Sequence, residues 1–281
     1  KSLSLIKSNC ATNVSLSFGE YNGVVFLPKP KFRPMKFKFP YLLCLLFLVS
    51  CGNEEKLSIE PLHLASEICE DCAQVDITIP KVLENSKIGR AIEKALKEEI
   101  IFLLTFDEEI EASTIEEAIG SFTNGYEDLK KLYPEENTIW EADIDGKITF
   151  EDKNVLTVQL DSYIFTGGAH GYKSIRFLNF DKKKGIELEN EELFKNAENF
   201  KAFAEEMFRK KEKIPEGKPI NYTGFMFEQD SFYLPENIGF TESGLKLLYN
   251  PYEIASYADG AIELVLSHED VKNYLAKKPN S

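Results

Sequence analysis

Histidine is scarce in this chain. There are three in 281 residues, at positions 63, 170 and 268, with no spacing that would gather a zinc-ligand set. No glycine–x–serine–x–glycine elbow is present, which removes one large class of serine hydrolases. The glycine-rich stretch that does exist lies between two strand-like runs. It therefore lacks the strand-then-helix context of a nucleotide loop, and no cofactor is expected. Positive charge is also in short supply, with 33 Lys and Arg against 47 Asp and Glu and a formal net charge of −14. That balance disfavours nucleic acid and anionic lipid headgroups as partners; it either favours a cationic one or serves solubility alone.

The acidic excess is unevenly spread. Residues 1–50 hold seven of the basic residues and one of the acidic ones, so the rest carries a net charge near −20. Residues 1–34 show no periodicity and are expected to be an upstream extension without function. Met35-Lys36-Phe37-Lys38 is basic and Tyr41 to Val49 is apolar. Leu48-Val49-Ser50-Cys51 then places small residues before a cysteine. That is the form of a signal peptide over 35–50, too short for a membrane-spanning helix. It resembles a bacterial lipoprotein signal, which implies lipidation at Cys51, attachment to a membrane and a place in the cell envelope. Residues 51–74 are expected to be anchor and tether.

Of the five cysteines, Cys10, Cys44 and Cys51 lie at or before the anchor. Cys69 and Cys72 remain, separated by Glu70 and Asp71. In an exported protein this pair reads as a small disulfide loop or as two tether thiols. A redox motif would follow a strand and open a helix, whereas this pair precedes the strand-like 75–80 run. Its acidic neighbours would also raise the thiol pKa.

The remainder reads as α+β: an antiparallel β-meander packed with helices, two lobes in one compact body. The lobes are expected over 75–136 and 137–281. After the strand at 75–80, Ser86 can cap a helix bearing Ile88, Ile92, Ala95, Leu96, Leu103 and Leu104. Thr114-Ile115-Glu116-Glu117 matches a capping box ahead of a second apolar stripe, Ile115 to Leu129. Ile139–Ile144 and Lys147–Glu151 flank Asp145-Gly146, a two-residue hairpin signal. Residues 155–165 and 174–180 alternate as strands, and 186–188 adds a short one. Residues 196–213 carry Phe200, Phe203, Ala204, Met207 and Phe208 at helical spacing. Strands are expected at 225–227, 232–234, 245–249 and 261–266, then a short helix capped by Ser267.

Between two of these strands runs Thr166-Gly167-Gly168-Ala169-His170-Gly171-Tyr172. One reading is a shaped turn held by His170. The other is a binding turn that offers backbone N–H groups and His170 to a partner. Pro251 to Gly260 holds Tyr252 and Tyr257, and reads as a packed corner or as the second part of a ligand groove. Candidate ligand-binding residues are therefore Thr166, Gly167, Gly168, His170, Gly171, Tyr172, Pro251, Tyr252 and Tyr257.

With Asn179-Phe180-Asp181, Phe232-Tyr233-Leu234 and Asn250-Pro251-Tyr252-Glu253-Ile254-Ala255-Ser256-Tyr257-Ala258-Asp259-Gly260, these motifs occur in a characteristic order. The stretch from about 76 to 275 resembles the extracellular domain of unknown function of RsiV, a lysozyme-sensing anti-sigma factor. It is also similar to the N-terminal region of PdaC-type peptidoglycan deacetylases. The resemblance implies a non-catalytic domain that binds a cell-wall glycan or a basic extracellular protein such as lysozyme. In the deacetylase relatives the chemistry belongs to a separate domain, which is not found in this sequence. The competing expectation is a peptidoglycan-active hydrolase or deacetylase-like enzyme that uses His170 as its base.

Overall fold

A computed structural model describes residues 56–105, 112–135 and 137–279. The extension 1–34, the signal-like segment 35–50 and Cys51 lie outside the described residues.

The first described strand, β1 (Ile59–Ala65), falls inside the expected tether. Pro61 hides it, because proline cannot donate to a ladder and is confined to sheet edges. Among the described residues β1 is such an edge, paired with β2 (Gln74–Val82) and placing Pro61 opposite Pro80. The loop between the two strands carries the Cys69–Cys72 disulfide, whose Cα atoms are 5.6 Å apart. Asp71, between the two cysteines, pairs with Lys130.

Two helices follow. Ser86 accepts from the Gly89 N–H to cap α1 (Lys87–Leu104), which buries Ile88, Ile92, Ala95, Leu96, Ile100 and Leu104. Thr114 and Glu117 complete the reciprocal capping box of α2 (Ile115–Leu132), which buries Ala118, Ile119, Phe122 and Tyr126. Each such cap is worth about 1 kcal/mol. Among the described residues, no helix is long and apolar enough to cross a membrane.

The chain then returns parallel to β2 as β3 (Glu141–Glu151), so the meander has one parallel pairing. Asp145-Gly146 is not a hairpin, because β3 runs straight through it. A Cβ on Gly146 would stand 3.0–3.3 Å from Pro80, Ile79 and Leu160, so this glycine admits close packing and makes no turn. The turn comes at Asp152, whose Oδ1 accepts from the N–H groups of Asn154 and Val155. It leads antiparallel into β4 (Val155–Phe165), β5 (Tyr172–Asp181) and β6 (Ile186–Leu188). The six-stranded sheet therefore crosses residue 137.

A second sheet contains β7 (Asn237–Thr241), β8 (Gly244–Tyr249) and β9 (Ile262–Leu266). Two further α-helices are α3 (Ala197–Lys211), capped by Asn196, and α4 (His268–Val271), capped by Ser267. Residues 225–227 and 232–234, expected as strands, are not in a sheet. Their aromatic side chains mimic period-two alternation, but their backbone groups find partners outside any sheet, as when the Met226 N–H donates to the Ile254 carbonyl. The Asn221 side-chain amide both donates to the Phe227 carbonyl and accepts from its N–H. Phe225, Phe227 and Phe232 instead ring Phe208 of α3 at centroid distances of 5.1–5.6 Å.

Two cores result. Leu156, Val158, Leu160, Leu178 and Phe180 of β4 and β5 join α1 and α2 in one. Phe200, Phe208, Phe240 and Leu247 anchor the other. On the face of β4 and β5 away from α1 and α2, Phe177 lies against Gly239 of β7 so closely that an added Cβ would overlap the ring. We expect Gly239→Ala to lower unfolding free energy by roughly 1–3 kcal/mol through overpacking. Gly120→Ala, in α2 with open space around the position, is expected to raise it by about 0.8–1.0 kcal/mol. Urea denaturation of both variants checks the pair; equal signs would contradict this packing.

Candidate functional site

The glycine turn is shaped by its own chemistry. Gly167 and Gly168 have φ of 101° and 89°, where side chains are disfavoured. Gly171 is buried beneath the Tyr163 ring, where a Cβ would collide. β5 leaves the turn directly.

The segment after β8 docks on this turn through side chains that act as backbone. Asn250 accepts from the Ile175 N–H at 2.8 Å and donates to its carbonyl at 3.1 Å, so its amide pairs with β5 as a strand residue would. Tyr257 donates its hydroxyl to the Gly171 carbonyl at 2.9 Å, and Tyr172 donates to the Pro251 carbonyl at 3.3 Å. Ser256 and Asp259 close a short capping box that presents Tyr257. The His170 ring stacks on Tyr257 with centroids 3.9 Å apart and planes 14° apart. Tyr252 adds a third ring 5.4 Å from Tyr257. Its backbone sits at φ 72°, an unfavourable region for a bulky residue, and its side chain remains exposed.

Beside this ladder lies a groove of ≈ 570 Å³. Asp143, Asp145 and Asp161 line one side and Tyr163, Pro251 and Tyr257 line another. Strand register explains the aspartates, since Asp143 stands opposite Tyr163 and Asp145 opposite Asp161 across β3 and β4. Lys147 reaches Asp161 at 2.7 Å, and the Lys173 ammonium lies 6.0 Å from the Tyr163 ring centre. The wall is thus aromatic and the floor rich in hydrogen-bond acceptors.

The candidates read from the sequence divide here. Pro251 and Tyr257 line the groove, while His170, Tyr252 and Gly171 join it only through their contacts with Tyr257. Thr166 and Tyr172 line a separate cleft toward α1, and Gly167 and Gly168 line neither. Sequence reasoning passed over Asp143, Asp145, Asp161 and Tyr163. The signal for them is the polar half of the alternation in β3 and β4, which matters only once the facing loop is known.

His170 is exposed. Its Nδ1 lies 3.0 Å from the Gly171 carbonyl, and among the described residues no carboxylate is within hydrogen-bond reach of the ring. Nor do the described residues contain a group of three or more His, Cys, Asp or Glu placed to hold a metal.

Behind the ladder, burial pushes the Glu253 carboxyl above the usual glutamate range. Repulsion from Glu236 adds to this, while hydrogen bonds from Asn250 act the other way. Burial likewise pushes the Tyr249 hydroxyl far up; it donates to the Tyr233 carbonyl.

Residues 67–173 match the protein family described as Deacetylase PdaC, and residues 191–269 match the one described as Protein of unknown function (DUF3298). The glycine turn falls in the first match and the Asn250–Gly260 segment in the second. A solved DUF3298-family protein from Bacteroides fragilis has a TM-score of 0.60 and 20% identity, covering 79% of this chain and 95% of that one. A DUF3298-family protein from Pseudomonas aeruginosa has a TM-score of 0.57 and 18% identity, with 81% and 99% coverage. At these identities the likeness is one of fold. No curated protein matches the chain.

The Glu253 environment gives a pH prediction. A carboxyl whose folded pKa is raised weakens the fold above that pKa, and the penalty is gone below its unfolded value. Glu253→Gln is therefore expected to raise the melting temperature at neutral pH. The gain should shrink as pH falls through the raised pKa and vanish below the ordinary glutamate range. Thermal melts of both proteins across pH isolate this group; no gain at neutral pH would contradict the assignment.

Proposed function

We propose that this PdaC/DUF3298-type chain is a non-catalytic lipoprotein of the bacterial cell envelope that binds wall glycan in the groove beside Tyr257. The observation that carries this reading is Tyr257, which lines the groove with Asp143, Asp145 and Asp161 and carries the His170 ring stacked on it and the Tyr252 ring 5.4 Å away. Sugar rings present apolar C–H faces that stack on aromatic rings, and hydroxyls that donate to carboxylates. A groove with one aromatic wall and a few placed polar groups suits such a ligand. The left-handed Tyr252 supports it further, since a strained backbone holding an exposed ring is a feature of binding sites.

The deacetylase in the matching family's name is not carried over to this chain. His170, the histidine in a shaped motif, is occupied by ring stacking and a backbone carbonyl, and a general base needs an orienting partner and a reacting atom above it. The envelope location rests on Leu48-Val49-Ser50-Cys51 and the basic, apolar stretch before it. A second reading, a basic lysozyme-like protein as partner, is favoured by the net charge near −20 beyond residue 50.

Pull-down on purified peptidoglycan tests the first reading. Binding is expected to survive high salt, because stacking and short-range hydrogen bonds from uncharged hydroxyls to carboxylates are little screened. The double variant His170→Ala/Tyr252→Ala should weaken it about tenfold or more, each lost ring contact being worth about 0.5–1.5 kcal/mol, with the circular dichroism unchanged. Undiminished binding by that variant would sink the groove. Salt-sensitive capture of lysozyme without wall binding would transfer the function to the second reading.

A further inference from the structure

Across the Asn250–Ile175 pairing lies the second cleft, ≈ 710 Å³ in volume. Its sides are the C-terminal half of α1 (Glu99, Phe102), β5 (Tyr172, Arg176) and the loop residues Glu236, Asn237 and Glu253. Four features of this cleft point the same way.

Asn237 is 4% exposed, and among the described residues its Oδ1 has no hydrogen-bond partner. A buried, unpaired acceptor costs roughly 1–3 kcal/mol unless a donor arrives. The charges lining the cleft are three glutamates against one arginine. Arg176 Nε stands 3.5 Å from Glu99, beyond good hydrogen-bond length, so even that pair is loose. Glu236 and Glu253 lie near enough to repel each other. α1 brings the negative end of its dipole here, and its last turn has no basic residue to offset it. Finally, Phe102 is a large apolar ring left 78% exposed at the rim.

An unpaired acceptor, an excess of carboxylates and a helix C-terminus all demand a cation that donates hydrogen bonds. An exposed aromatic ring beside them suits an apolar stem and supplies a cation–π face. We infer that this cleft binds the end of a lysine or arginine side chain presented by a protein partner, with Asn237, Glu236 and Glu253 receiving the charged head and Phe102 covering the stem. The site is separate from the glycan groove and does not depend on it.

The test is an NMR titration of the isotopically labelled protein with three probes. They are Nα-acetyl-lysine methylamide, the same compound acetylated on its ε-amine, and glucosamine. The charged lysine probe is expected to shift the Asn237 side-chain amide and the Phe102 and Tyr172 signals. The ε-acetylated probe, lacking the charge, should leave them in place. Glu236→Gln and Phe102→Ala should each weaken the lysine probe about tenfold, roughly the 1.4 kcal/mol of one lost contact of this kind. Two variants on different elements keep the test valid should one fail to fold. Equal shifts from both lysine probes, or none from either, would overturn the site. Shifts from glucosamine as strong as from lysine would overturn the side-chain assignment, because no stem would then be read.

Discussion

A small buried polar network holds the two sheets together. Thr157 of β4 donates to Asn179 of β5 at 2.8 Å, Asn179 donates to the Ile238 carbonyl of β7 at 2.6 Å, and the Phe240 N–H donates to Thr157 at 3.3 Å. All of these groups are buried, so each must be satisfied or cost stability. The network allows one register between the sheets, and that register drops Phe177 onto Gly239. Replacing either Thr157 or Asn179 would leave its partners buried without a bond.

That fixed stacking sets the position of the site. β8 is aligned by β7, so its continuation delivers Asn250 to the edge of β5, where the amide can take the place of a strand residue. Asn250 also separates the two concavities, contributing to the walls of both. The turn and the corner are therefore one rigid unit, tied by Tyr257 to Gly171 and by Tyr172 to Pro251. Their rings are preorganised before any ligand arrives, which lowers the entropy cost of binding. The left-handed backbone at Tyr252 persists because its neighbours Asn250, Pro251 and Ile254 are all held.

What could be read from the sequence was what is local. Ser86, Thr114 with Glu117, and Ser267 all cap the helices expected of them, because a cap is decided within four residues. Readings that depended on distant partners fared differently. Asp145-Gly146 has a hairpin composition, yet Gly146 serves packing against Ile79 and Pro80. Phe225 to Leu234 has a strand's alternation, yet Phe208 and Asn221 draw it into a loop. Pro61 spoils a strand signal that an edge position tolerates. At the site, the turn and the tyrosine segment stood out through their unusual residues. The aspartates of the groove did not, since acidic residues are common here and only the fold shows which of them face Tyr257.

The central claim is that the tyrosine–histidine ladder and the aspartate floor form one glycan-binding surface. The most direct measurement is an NMR shift map of the protein with a soluble N-acetylglucosamine oligomer of the wall-glycan type. The account predicts perturbations confined to His170, Tyr252, Tyr257, Tyr163 and the Asp143–Asp145 strand, saturating together with one affinity. Perturbations centred elsewhere, or a ladder that stays silent while other residues saturate, would contradict it.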